Sequence, residues 1–216
     1  KHIDFDTGPS LFETADEYER LVSNPPSGEG LSKKKKVAKD TILGSLRLSQ
    51  VNRGEDPSKS IAGVSFRHLA MLAQIKSRDQ DIWDSLKNSK HIDGEPNESL
   101  VGRLSRMRNW IEGAHFPDGA RIRIQGQISE ENKQKLTGQQ KLFLSELSSE
   151  FESCEWTENR VNELIREITM KIGIGRREGY VALYLLILGT DYGPRIASII
   201  TELSRKQIMQ IFSKSL

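Results

Sequence analysis

The chain has 216 residues, enough for one large domain or one domain with an appendage, and enough to bury a core without staples. Its 32 Lys and Arg against 30 Asp and Glu leave a formal charge of +2, so any basic surface must come from local segregation of charge. No run nears the roughly 18 apolar residues of a membrane span, and the single Cys154 excludes an internal disulfide. A cytoplasmic protein with no membrane partner is the expectation. The opening KHIDFDTGPS has neither a secretory core nor a Met, which points to part of a longer protein.

Apolar residues recur at helical spacing and period-two alternation is scarce, which predicts a mainly α, all-helical fold. A first helix follows Pro9, with Leu11, Ala15, Tyr18 and Val22 on one stripe, and stops at Asn24-Pro25-Pro26. From there to about residue 60 the chain is rich in Ser, Gly, Pro and Lys, a connector with a short helix or strand around Thr41 to Val51. Ser65 is placed to cap a helix carrying Leu69, Leu72 and Ile75. Ile82, Trp83 and Leu86 mark a shorter helix, and Leu100, Leu104, Met107 and Ile111 an amphipathic one. Arg121 to Ile128 is the one strand-like stretch, short enough to be an extended connection.

Thr137 and Gln140 fit a capping box before Phe143, Leu144, Leu147 and Phe151. Thr157 precedes Val161, Leu164, Ile165, Ile168 and Ile172 at helical spacing. In the last stretch Gly189 is suited to end a helix, Pro194 to stand at the first position of the next, and Ser204 with Gln207 to cap a third. The chain thus divides into an N-terminal helix with connector, 1–60, and a helical region, 61–216.

The common catalytic constellations are missing. The four His (2, 68, 91 and 115) are far apart in sequence, with no zinc-ligand spacing. Cys154 is flanked by Glu152 and Glu155, which raise a thiol pKa and argue against a nucleophile. Asp4 and Asp6 read as solvated capping acids. Gly173-Ile-Gly175-Arg176-Arg177-Glu178-Gly179 misses the dinucleotide-binding spacing and follows a helix instead of a strand. Leu31-Ser32-Lys33-Lys34 loosely resembles a KMSKS loop, with only 30 residues before it, too few for a nucleotide-binding sheet.

Basic residues are instead clustered. Arg103, Arg106, Arg108, Arg121 and Arg123 alternate with Trp110, His115 and Phe116; Lys171, Arg176 and Arg177 form a second group; Arg195, Arg205 and Lys206 form a third. Acids concentrate between Ser145 and Glu167. Guanidinium groups interleaved with aromatic faces suit RNA, where they meet phosphates and unstacked bases, although an ordinary charged helical surface has the same composition. The run Lys33 to Lys36 cannot share one helix face and reads as solvated linker, with at most a loose contact to a nucleic-acid backbone.

Five blocks stand in a fixed order: KHIDFDTGPSLFETADEYERL (1–21), VSFRHLAMLAQI (64–75), NWIEGAHFP (109–117), the helix from Gly138 to Phe151, and ALYLLILGTDYGPRIASII (182–200). Together they resemble the C-terminal part of class I lysyl-tRNA synthetases over nearly the whole chain, the last block most specifically. Two departures stand out. Phe116-Pro117-Asp118 replaces the family's Ala-Pro-Glu, and the Lys33–Lys36 connector matches poorly.

The resemblance implies a multi-helix anticodon-binding bundle, the α-helix cage of class I glutamyl- and lysyl-tRNA synthetases, formed by residues 61–216. Residues 1–60 would follow a catalytic domain whose HIGH and KMSKS motifs are absent here. The implied partners are the anticodon stem-loop of lysine tRNA and that catalytic domain. ATP and Mg belong to the parent ligase, while this part needs no cofactor or metal and catalyses nothing by itself. Arg195 is the first candidate for anticodon contact, since a helix start after the Gly193-Pro194 turn offers N–H groups to an anion. Arg67, Arg106, Trp110, Arg177 and Arg176 follow. Two other readings stay open: the corresponding glutamyl-tRNA synthetase domain, and a helical scaffold that docks proteins and not RNA.

Overall fold

The structure is a computed structural model that describes residues 8–24, 32–48, 61 and 63–215. His2, Asp4, Asp6, Leu31 and the connector residues 25–30 and 49–60 lie outside the described residues. Among the described residues, eleven α-helices and one 3-10 turn make up the regular structure and no strand occurs, in line with the helical spacing of the sequence. The chain forms two compact units, Lys1–Pro117 and Asp118–Leu216. The compositional division at residue 60 falls inside the first.

The first unit holds α1 (Pro9–Ser23), α2 (Lys33–Leu48), α3 (Phe66–Ile75), α4 (Asp79–Asn88) and α5 (Glu98–Glu112). α1 starts with proline in its first turn, where a missing N–H costs nothing. Its buried side chain is Phe12, while Leu11, Ala15, Tyr18 and Val22 are only half-buried. The expected stripe is off by one position because the larger ring joins Phe66, Trp110 and Phe116 in an aromatic cluster.

α2 also differs from expectation. It starts at Lys33, earlier than the Thr41–Val51 segment, and absorbs the four lysines read as linker. Lysine is a good helix former, and none of the residues of α2 is buried, so propensity more than an apolar face sets its start. α3 packs on α1, α4 and α5. Ser65 caps it by accepting the His68 N–H, and Leu69 and Leu72 are inside, as are Ile82, Trp83 and Leu86 of α4 and Leu100, Leu104 and Met107 of α5. His68 and His91, distant in sequence, stack with ring centroids 4.7 Å apart.

The second unit holds α6 (Glu130–Lys135), α7 (Gly138–Phe151), α8 (Glu158–Ile172), α9 (Arg176–Ile187), α10 (Ile196–Glu202) and α11 (Arg205–Ser215). α7 packs on α8, α9 and α11, and α8 on α9 and α10. The capping box of Thr137 and Gln140 forms, Thr157 caps α8, and Ser204 and Gln207 bond reciprocally before α11. Arg121 to Ile128 is an extended connection. Its Gln125 N–H donates to the Ile187 carbonyl (2.7 Å) and its Ile128 N–H to Ser215 Oγ (2.9 Å). Gly173 and Gly189 both have φ +76°, the left-handed conformation that ends a helix. Pro194 is not the first helical residue: Arg195 is the N-cap and α10 starts at Ile196. The Tyr184 hydroxyl, donating to the Pro194 carbonyl (2.7 Å), holds that segment as a turn.

α9 approaches its neighbours through Gly179, where an added Cβ would lie 2.5 Å from Thr169 Cγ2 and 3.4 Å from the Phe143 ring. Gly179→Ala should therefore destabilise the protein by about 1–3 kcal/mol through overpacking. Gly126→Ala, which meets nothing within 4 Å, should stay within about 0.5 kcal/mol. Denaturant unfolding of both variants checks the contrast.

Candidate nucleic-acid interface

In the first unit, one carboxylate joins three helices. Glu19 of α1 accepts the Phe66 N–H (2.6 Å), an amide at the start of α3 that has no partner within its own helix, and pairs with Arg103 of α5 (3.3 Å). Arg103 also donates to the carbonyls of Ile61 (2.7 Å) and Val64 (3.0 Å). Both side chains are about 85% covered. Burial pushes the Glu19 carboxyl above its ordinary value, against the opposing pull of the Phe66 N–H and Arg103. Burial likewise pulls Arg103 down, with Glu19 the main opposing influence. At the far end of α3, Arg108 plays a similar part, donating to the Ala73 and Lys76 carbonyls (3.2 Å each) and pairing with Asp79 (2.8 Å).

Beside this junction is an open cleft of about 250 Å³, lined by Leu11, Phe66, Arg103, Arg106, Met107 and Trp110. Phe66 and Trp110 face each other at 5.7 Å between centroids, tilted by 45°, and Phe12 backs Trp110 at 5.2 Å. Trp110 is half-buried, whereas Phe116 is 3% exposed and packs edge-on against Trp110. Phe116 is thus core, not the RNA-facing aromatic that its position among the arginines suggested. Arg106 is exposed, lies along Gly102, and pairs with no carboxylate among the described residues. An apolar aromatic slot with a guanidinium at its edge can stack a planar group and hydrogen-bond its polar edge.

The other candidate cations divide between structure and surface. Arg67 pairs with Asp16 (2.6 Å) and lies over the Phe12 ring at 4.9 Å, so it joins α1 to α3. Arg205 donates to the Glu152 and Cys154 carbonyls and lies over Trp156 at 5.1 Å. Lys171 pairs with Glu146, and Arg121 with Asp118. Arg176 and Arg177 are exposed in the first turn of α9, where Glu178 accepts the Gly175 N–H (2.9 Å) and already brings a carboxylate to the helix start. Arg195 is exposed and is the N-cap of α10, a helix of only 7 residues. Burial, more than nearby acids, raises the Cys154 thiol, with Arg205 and Arg160 opposing it. No group of three or more His, Cys, Asp or Glu able to hold a metal occurs among the described residues.

The structure brings Arg106 and Trp110 to one cleft and sets Arg67 in a neighbouring contact. Arg176, Arg177 and Arg195 lie in the second unit. Sequence reading missed Glu19, whose acidic neighbours Asp16 and Glu17 give no sign of a buried role, and Phe12, hidden one position off the assumed stripe. It also missed Tyr192, which is 62% exposed three residues before Arg195. An aromatic inside the Asp191-Tyr192-Gly193-Pro194 turn was the available signal.

No protein-family model matches the chain. Among curated proteins it is similar to archaeal lysine–tRNA ligases. It is 24% identical to that of Picrophilus torridus over 216 residues, covering all of this chain and 40% of the relative. With the Thermoplasma volcanium ligase it shares 24% over 205 residues, 95% of this chain and 37% of the relative. With that of Methanococcus maripaludis it shares 25% over 225 aligned positions, 99% of this chain and 41% of the relative. The chain thus spans about two fifths of the length of these relatives, a distant homology to a portion of each.

The two arginines of the cleft should separate cleanly in stability. Arg103→Ala leaves Glu19 covered without its cation and should cost about 3 kcal/mol. Arg106→Ala, at an exposed position, should stay within about 0.5 kcal/mol of the parent. Urea unfolding midpoints of the two variants test the distinction.

Proposed function

We propose that the chain is a tRNA-recognition module of the lysine–tRNA ligase kind, with residues 61–216 as its anticodon-binding domain and the anticodon stem-loop of lysine tRNA as its ligand. The supporting observation is the cleft where Trp110 and Phe66 offer ring faces and Arg106 an unspent guanidinium. Homology to lysine–tRNA ligases over the whole chain supports the same choice of RNA. Lysine anticodons are rich in uridine, which stacks weakly and is easily splayed from a loop. A uracil entering the cleft lays its face on the aromatic walls and turns its carbonyl edge to Arg106. Trp110 and Phe66 act by stacking, and Arg106 by hydrogen bonding.

Arg176, Arg177 and Arg195, exposed on the second unit, are assigned to phosphate or loop contacts, and Arg67 to holding α1 against α3. The module itself performs no aminoacyl transfer. ATP and Mg belong to the parent ligase's catalytic part, and no residue here is assigned to them. No helix among the described residues is long and apolar enough to cross a membrane.

The test is a fluorescence-anisotropy titration with a lysine tRNA transcript and with the same transcript carrying a glutamate anticodon, at two salt concentrations. Lysine tRNA should bind more tightly, with affinity falling as salt rises. Arg106→Ala should weaken lysine tRNA by about 10–100-fold and narrow the gap between the two RNAs. Equal binding of the two transcripts by the parent protein would sink base recognition, a preference for the glutamate anticodon would favour the glutamyl domain, and salt-independent or absent binding would favour a protein-docking scaffold.

A further inference from the structure

Outside the cleft, the strongest charge feature of the molecule is α2. Over Lys33–Leu48 it carries Lys33, Lys34, Lys35, Lys36, Lys39 and Arg47 against a single Asp40. That is a net +5 in 16 residues, which leaves the rest of the chain at −3. None of its residues is buried. Among the described residues, none of the five lysines is within ion-pair range of a carboxylate. The helix is also electrostatically uncomfortable alone. Four lysines crowd its positive, N-terminal end with no acid in the first turn, and Lys35 and Lys39 repel at i,i+4 spacing. A polyanion laid along it relieves both.

We propose that α2 is a second, sequence-independent RNA contact that grips the phosphate backbone of a helical stem. This goes beyond anticodon reading, because its ligand is a duplex with no anticodon. Three features favour a duplex backbone. α2 contains no aromatic residue, so it has no face on which to stack an unpaired base. Lys33 to Lys36 step round the helix at about 100° each and cannot converge on one base edge, but they can meet successive phosphates. The exposed apolar residues Val37 and Leu48 lie on one side and Ile42 well round from them. Half-buried Leu43 and Leu46 share the side of Ile42, but Lys35 and Lys39 occupy the same side over the N-terminal half, so no apolar face runs the length of the helix as in a membrane-surface helix.

The experiment uses the whole chain, a version with Lys33, Lys34, Lys35 and Lys36 all changed to Ala, and a version with all four changed to Arg. Each is titrated with a blunt RNA duplex that has no loop, across a series of salt concentrations. The parent should bind the duplex, and the Ala version should bind at least about 10-fold more weakly, with the slope of log affinity on log salt reduced by about 3. The Arg version should match the parent. With intact tRNA, the Ala version should weaken the lysine transcript and its anticodon-swapped copy by the same factor, so the ratio that reports on the cleft is unchanged. Because α2 has no buried residue, all three proteins should unfold at the same urea midpoint. An unchanged duplex affinity and slope in the Ala version would overturn the proposal. So would a loss confined to the lysine transcript, or binding of the parent to phosphatidylserine vesicles but not to duplex.

Discussion

The first unit depends on a single covered ion pair. Glu19 takes the amide that opens α3 and the guanidinium of α5, so α1, α3 and α5 meet at one carboxylate. Desolvation opposes both charges, as the raised Glu19 and lowered Arg103 values show. What offsets it is the number of polar groups served. An unpartnered helix-start N–H and two turn carbonyls gain charged partners, each stronger than a neutral hydrogen bond. With the three helices fixed there, Phe12, Phe66 and Trp110 converge at 5.2 to 5.7 Å, and the cleft opens beside them.

The same logic sorts the basic residues. Arg103, Arg108 and Arg205 all reach backbone carbonyls at the ends or turns of a neighbouring element, where the carbonyls lack helical partners. A long side chain with a forked donor suits that task, and an arginine so used has little left for a ligand. Arg106, one helical turn from Arg103, faces no such carbonyl. Its charge remains at the mouth of the cleft. Two arginines three positions apart on one helix therefore do different work, decided by what each can reach.

That distinction marks the limit of what the sequence could say. Helix positions were legible because period and caps are local: Ser65, Thr137 and Thr157 act at the positions expected, and the apolar residues spaced behind them are buried except Ile75 and Ile172, which are half-buried. Three local readings failed for identifiable reasons. Phe12 displaced the Leu11 stripe because cluster packing outweighed periodicity. Lys33 to Lys36 entered a helix because propensity, not amphipathicity, governs an exposed segment. Pro194 lost the first helical position because the Tyr184 hydroxyl, on the preceding helix α9, holds its carbonyl. Of the candidate residues, Trp110 and Arg106 share a cleft, but nothing local distinguished Arg106 from Arg103 or Arg108, since the difference lies in carbonyls 32 to 42 positions away.

The near-neutral composition reflects charges that largely cancel in place. Arg160 is held by Glu163 and Glu167 and Lys171 by Glu146, so the acid-rich stretch between Ser145 and Glu167 satisfies cations of its own unit, while in the first unit Arg67 is held by Asp16. Among the described residues the densest positive charge is on α2, with smaller exposed groups such as Arg176 and Arg177 elsewhere. A field concentrated in one helix falls off within about 10 Å at ordinary salt. Under the proposed function it would strengthen a grip on phosphates without raising attraction to polyanions over the whole surface, while discrimination would rest on the aromatic walls and Arg106 of the cleft.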